Sequence, residues 1–163
     1  MMKPIWLTAN PKSMTSSTPT RGQLERSLSQ RIQALYRNQL GHRPAEVNCQ
    51  IFDQKIVIVL ENSITLPEQL LANNGQEELV EEIRSNLDAA IQPQLRELIE
   101  EIVGVPVEDL LSDAKLETGR SGMIAILADL PQTRDRVAGK NNGEDSVART
   151  DHEPPEEQKG ESN

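Results

Sequence analysis

Aromatic side chains are nearly missing from this sequence, which has one Phe, one Tyr and one Trp in 163 residues. A core built from it must be aliphatic, and single-stranded nucleic acid would find no stacking platform. A positive surplus is missing as well: 17 Lys and Arg face 26 Asp and Glu, for a formal net charge of −9. That balance opposes nucleic-acid binding through counterion release and docking on anionic lipid. With Cys49 alone, neither an intrachain disulfide nor a cysteine-rich zinc knuckle can form, and a reducing compartment is expected. No apolar run approaches the ~20 residues of a membrane span, and Met1 to Thr8 lacks the apolar stretch of a signal peptide. A cytoplasmic protein is the expectation, peripheral to a membrane only through a protein partner.

Chemistry-bearing motifs are absent too. Neither G-x-G-x-x-G nor G-x-x-x-x-G-K-[ST] occurs. His42 and His152 are too far apart for zinc-ligand spacing, and no Ser–His–Asp or Cys–His set suggests itself. No catalytic residue, cofactor or metal is expected, and the chain reads as a non-enzyme. The glutamates 77, 78, 81, 82, 97, 100 and 101 could in principle ligate a hard cation. Arg84 three residues after Glu81, and Arg96 four before Glu100, instead give the ion-pair spacing of a solvated helix face. Cys49 shares a strand face with Val47 and Ile51, which predicts a buried, unreactive thiol.

What is present divides the chain into three. Residues 1–21 and 131–163 are too poor in apolar side chains to offset the entropy of ordering, and read as a disordered arm and a disordered acidic tail. Residues 22–130 remain as one domain, and they hold 18 of the 26 acids against 9 basic residues. Leu24, Leu28, Ile32, Leu35, Tyr36 and Leu40 mark one helical face over 22–40, closed by Gly41. Val47, Cys49 and Ile51 alternate with polar residues as a half-buried strand, and Asp53-Gln54 turns it into the β-branched run 55–60, read as buried on nearly both faces. Thr65, Pro67 and Glu68 form a helix start, with Thr65 the cap and Glu68 placed for a capping box.

A second apolar stripe, with Leu79 to Val103 on it, predicts a helix of nearly 28 residues, about 42 Å long at ~1.5 Å per residue, too long for the domain unless it kinks at Pro93 or overhangs. Beyond Gly104 come a strand to Leu116 with one irregularity, a turn over 118–122, and a buried strand over 123–127. The fold class is therefore α+β: helix–hairpin–helix–hairpin, with two main amphipathic helices covering a four-stranded antiparallel sheet. Gly41-His42-Arg43-Pro44 and Gly104-Val105-Pro106 occupy equivalent joints, which suggests a loose internal repeat. An exposed sheet edge or an overhanging helix would need cover, so a homodimer is expected. The polar cluster that periodicity leaves unexplained is Asp113, Thr118, Gly119 and Arg120, with Ser112 nearby. It is the candidate contact for a partner or small ligand.

With those residues in view, Val59 to Glu68, Leu79 to Arg84, Pro93 to Gly104, and Ser112-Asp113 with Glu117 to Arg120 together resemble the family of the Na⁺-translocating membrane-potential-generating system protein MpsC, over residues 23–128. The resemblance implies an accessory or regulatory protein associated with membrane inorganic-carbon uptake or cation-linked energisation, with a transporter subunit as the expected contact. It supplies no catalytic residues. The alternative is a small-ligand sensor or signalling domain with a pocket near the last hairpin.

Overall fold

Each helix starts and stops where its local chemistry requires. Thr20 Oγ1 accepts the Gln23 N–H at 3.2 Å while Gln23 Oε1 accepts the Thr20 N–H at 2.8 Å, a reciprocal cap that opens α1 (Arg21–Leu40). Gly41, at φ 64°, closes it in the left-handed conformation that costs glycine nothing. The computed structural model describes residues 17–135. After α1 come β1 (Glu46–Phe52), β2 (Lys55–Glu61), α2 (Leu66–Asn73), α3 (Glu77–Val103), β3 (Val107–Lys115) and β4 (Arg120–Leu127). The α+β class and the helix–hairpin–helix–hairpin order are those the sequence predicts, with α2 as a short third helix.

The four strands form one antiparallel sheet in the order β1-β2-β4-β3. The hairpins thus meet at β2 and β4, and each follows a helix ended by a left-handed glycine, Gly41 or Gly104. The irregularity foreseen in the third strand is a register shift between Val107 and Asp109. The final turn closes earlier than predicted, because Gly119 (φ 69°) supplies its left-handed residue and Arg120 and Ser121 already belong to β4.

Alternation sends Val47, Cys49, Ile51, Ile56, Ile58, Leu60, Met123, Ala125 and Leu127 to one face of the sheet. There they pack against Leu24, Leu28, Ile32 and Tyr36 of α1 and Ile91, Leu95, Ile99 and Val103 of α3. Both main helices lie on that side. Among the described residues no layer covers the other face, and there Val57 and Val59 are only half-buried and Ile124 is 39% exposed. This corrects the expectation that the run 55–60 is buried on both faces or nearly so, and makes 123–127 a strand buried on one face only.

The long helix α3 contains Pro93 within one continuous helical segment of 27 residues. Its N-terminal turns are not left overhanging, since α2 packs on them and Val80 is fully buried. At its other end Arg96 donates to the Val107 carbonyl and Glu100 Oε1 accepts the Val107 N–H at 2.8 Å. Arg96 and Glu100 thus clamp the start of β3, beyond the simple surface pair their spacing suggested.

The arm and tail assigned to 1–21 and 131–163 lie largely outside the described residues. Where they are described, they meet. Pro131 and Thr133 are buried, the Arg134 N–H bonds the Pro19 carbonyl at 3.0 Å, and Asp135 Oδ2 accepts the Arg21 N–H at 2.9 Å. These contacts join described residues just outside 22–130 at both ends to one another and to the start of α1.

Candidate functional site

The densest polar arrangement lies where α2, α3 and the start of β4 converge. Glu68 is placed by its own helix start: its Oε2 accepts the Thr65 N–H at 2.8 Å and the Thr65 hydroxyl at 2.5 Å. This is the cap foreseen from Thr65 and Glu68, but the carboxylate is 1% exposed. A buried carboxylate needs a counter-charge. Arg84, 5% exposed, supplies it from α3, with Nη1 3.6 Å from Glu68 Oε1.

The other terminal nitrogen of Arg84 donates to the Ser63 carbonyl at 3.0 Å and to the hydroxyls of Ser63 and Ser121 at 3.2 and 3.4 Å. Those two hydroxyls are 2.6 Å apart, and the Gly119 carbonyl accepts the Ser63 N–H at 2.8 Å. One guanidinium therefore ties together the β2–α2 joint, the last turn and the long helix. Arg84 Nε, Arg84 Nη1 and Glu68 Oε1 are buried without hydrogen-bond partners, so the contact between the two side chains is a charge contact more than a hydrogen bond.

Beside this cluster, an open cavity of about 600 Å³ lies between α3 and β3, lined by Glu81, Arg84, Asp88, Gln92, Ser112 and Asp113 among others. Asp88 is half-buried there. Burial pushes its carboxyl above the usual range, Arg84 pulls it back, and Glu68 and Asp113 push it further up. The lining is dominated by acceptors. Arg84 is its one cation, and two of its nitrogens are closed off from the cavity by burial. Among the described residues no group of three or more His, Cys, Asp or Glu side chains could hold a metal ion.

The structure separates the four residues that the sequence singled out. Asp113 lines the cavity, and its Oδ1 accepts the Ala114 N–H at 2.9 Å. Thr118 and Gly119 form the turn, where the Thr118 hydroxyl reaches the Lys115 carbonyl at 3.5 Å and the Gly119 carbonyl serves Ser63. Arg120 points elsewhere: its Nε meets both oxygens of Glu61 at 2.8–2.9 Å on the uncovered face of the sheet. Sequence reasoning missed the Arg84–Glu68 pair, having matched Arg84 with Glu81. The signal was present, because Arg84 stands on the stripe Val80, Ile91, Leu95, Ile99.

Cys49 is buried as expected, and loss of solvent pushes its thiol up to about 11, against a smaller opposing effect of Ser29. His42 hydrogen-bonds the Asn62 carbonyl at 2.7 Å; His152 lies outside the described residues.

A different surface carries exposed apolar side chains. Leu66 and Leu70 stand one turn apart on α2 at 74% and 64% exposure, and Leu79 at the start of α3 is also exposed. Glu77, Glu78, Glu81 and Glu82 of the first turns of α3 are exposed near them. No helix among the described residues is long and apolar enough to cross a membrane.

Comparison with known proteins gives one match. The family described as "Na+-translocating membrane potential-generating system (MpsC)" matches residues 20–129, two-thirds of the chain and nearly all of the described fold. Neither a curated protein nor a solved structure matches. The chain belongs to the MpsC family.

Proposed function

From this membership in the MpsC family, we propose that the protein is a non-enzymatic accessory or regulatory component of a membrane cation-translocating system, acting by protein–protein contact from the cytoplasmic side. The observation that carries the reading is the exposure of Leu66 and Leu70 on α2. Two large apolar side chains on one helical face are costly to leave in water and form a natural anchor for a partner. The exposed glutamates of α3 nearby oppose an anionic lipid surface and favour a basic one. Cytoplasmic loops of membrane proteins carry such a basic excess. The reading includes self-association of the chain.

The test is crosslinking in cells through a photoreactive residue placed in the full chain at the exposed position 73, about one turn beyond Leu70 on α2. A subunit of a membrane cation transporter is the expected product, and Leu66→Ser with Leu70→Ser should abolish its capture while leaving the fold intact. Failure to recover any membrane subunit would overturn the proposal.

A second reading, a small-ligand sensor, is favoured by the 600 Å³ cavity and its buried arginine. It requires that nucleotides, bicarbonate or divalent cations raise the melting temperature, since binding to the native state stabilises it. A flat thermal-shift screen would dispose of it.

A further inference from the structure

We propose that the uncovered face of the sheet is the contact surface of a symmetric dimer, in which β1 and β2 of one protomer lie over β3 and β4 of its partner. This rests on the self-association included in the proposed function and assigns it a surface.

Both sheet edges are partly capped. On β1, the Ile51 N–H is bonded to Glu25 Oε1 at 2.9 Å. On β3, Asp109 and Asp113 accept the N–H groups of Leu110 and Ala114 at 2.8 and 2.9 Å, and Glu100 accepts that of Val107. Carboxylates thus occupy backbone donors on both outer strands, and growth of the sheet by an added strand is blocked at those groups. The face remains.

The register arranges that face in rows across the sheet. One row runs Gln50, Val57, Ile124, Leu111, and the next runs Asn48, Val59, Gly122, Asp113. At the end nearest the last turn, the row runs Glu46, Glu61, Arg120, Lys115: two acids on β1 and β2, then two bases on β4 and β3. Like charges stand directly opposite within each hairpin, Glu46 beside Glu61 and Arg120 beside Lys115; Arg120 and Glu61 already pair with each other across the middle of the sheet, which leaves Glu46 and Lys115 on the outer strands facing like charges.

A two-fold axis in the interface, parallel to the strands and between β2 and β4, resolves the conflict. It sets Glu46 over the partner's Lys115 and Glu61 over the partner's Arg120, each contact occurring twice. The same operation stacks Val57 on the partner's Ile124 and seats Val59 over the partner's Gly122, where no Cβ fills the surface. Nothing stands within 4 Å of the position a Gly122 side chain would take, so that notch is open. The face, four strands about 4.8 Å apart and seven residues about 3.3 Å long, covers about 19 by 23 Å, the scale of the smaller specific interfaces. Aligned packing of two sheets is an ordinary geometry.

The test uses the full chain in solution. Light scattering at high micromolar concentration should give twice the 18.1 kDa of one chain, and Ile124→Lys, whose side chain points away from the core, should give the monomer with an unchanged thermal melt. Glu46→Lys and Lys115→Glu lie on opposite outer strands, about 14 Å apart at the strand spacing, and cannot rescue each other within one chain. Each alone should weaken the dimer roughly tenfold by placing like charges across the interface. An equimolar mixture of the two variants should form the heterodimer in preference to either homodimer. A monomeric wild type, an Ile124→Lys dimer of unchanged affinity, or a mixture without heterodimer preference would overturn the proposal. Loss of the crosslinked membrane subunit on Ile124→Lys in a monomeric protein would give the face to that partner instead, and would refute the dimer while leaving the proposed function standing.

Discussion

Glu68→Gln tests whether the Arg84–Glu68 pair holds the helical half of the domain to the sheet. The substitution is nearly isosteric, and its amide oxygen still accepts the Thr65 N–H, so the helix start survives. What it removes is the counter-charge of a guanidinium that is 5% exposed. Breaking a buried ion pair by removing one partner costs about 3–5 kcal/mol, because the remaining charge is left unsolvated. In a domain slightly above 100 residues, where 1 kcal/mol shifts the melting point by about 4 °C, that is a loss of roughly 12–20 °C. Arg84→Met should cost a similar amount, through the uncompensated Glu68 and the lost bonds to Ser63 and Ser121. The double variant carries no buried charge here, so its loss should fall short of the sum of the single losses by at least about 2 kcal/mol, the coupling expected of residues in contact. Urea unfolding of the four proteins gives the cycle. Additive losses, or single losses below about 1 kcal/mol, would refute the assignment of the pair as the fastening between α2, α3 and β4.

Two further outcomes follow from titrating groups. Burial raises the Asp88 carboxyl in the folded state above its unfolded value of about 3.9; the native state then holds the proton more tightly, and stability falls as pH rises from about 4 through the folded-state value. Asp88→Asn should flatten that part of the urea stability profile and be the more stable protein at pH 7; an unchanged slope would show that Asp88 is not the group responsible. The Cys49 thiol, pushed up to about 11 by burial, should react with an aromatic disulfide reagent at pH 8 only as fast as the domain opens. Full reaction within seconds in native buffer would contradict its place in the core.

The parts of the fold that were legible are those governed by local rules. Leu24, Leu28, Ile32 and Tyr36 mark α1, left-handed glycines end both main helices, and Thr65 with Glu68 marks the start of α2. Periodicity of two gave the inward set Val47, Cys49 and Ile51. It could not say whether a second layer covers the outward set, because β-branched residues such as Val57 and Val59 suit a buried and a half-exposed strand alike. The final turn was misplaced because Gly119 and Gly122 offer the same freedom, and only Gly119 uses it. The candidate cluster failed as a unit because pairing decides what alternation cannot: Asp113 and Arg120 share a sheet face by register, but Asp113 lies on the outer strand beside the cavity, while Glu61 of the neighbouring strand engages Arg120.

The two surfaces proposed for contact have different chemistry and do not compete. Leu66 and Leu70 project from a helix on the covered side of the sheet, whereas Val57, Ile124 and Leu111 lie on the uncovered side. A dimer formed through the second therefore leaves both copies of the first exposed. Such a protein is bivalent, and a second contact made at high effective concentration strengthens attachment without any new residue in the interface. Membrane complexes often present their subunits in symmetric pairs, which a two-fold symmetric accessory protein can engage at both sites. On this reasoning Ile124→Lys, though remote from α2, should weaken capture of the membrane subunit without abolishing it, while Leu66→Ser with Leu70→Ser should abolish capture and leave the dimer whole. The asymmetry between those two results separates self-association from partner binding, which neither surface could reveal alone.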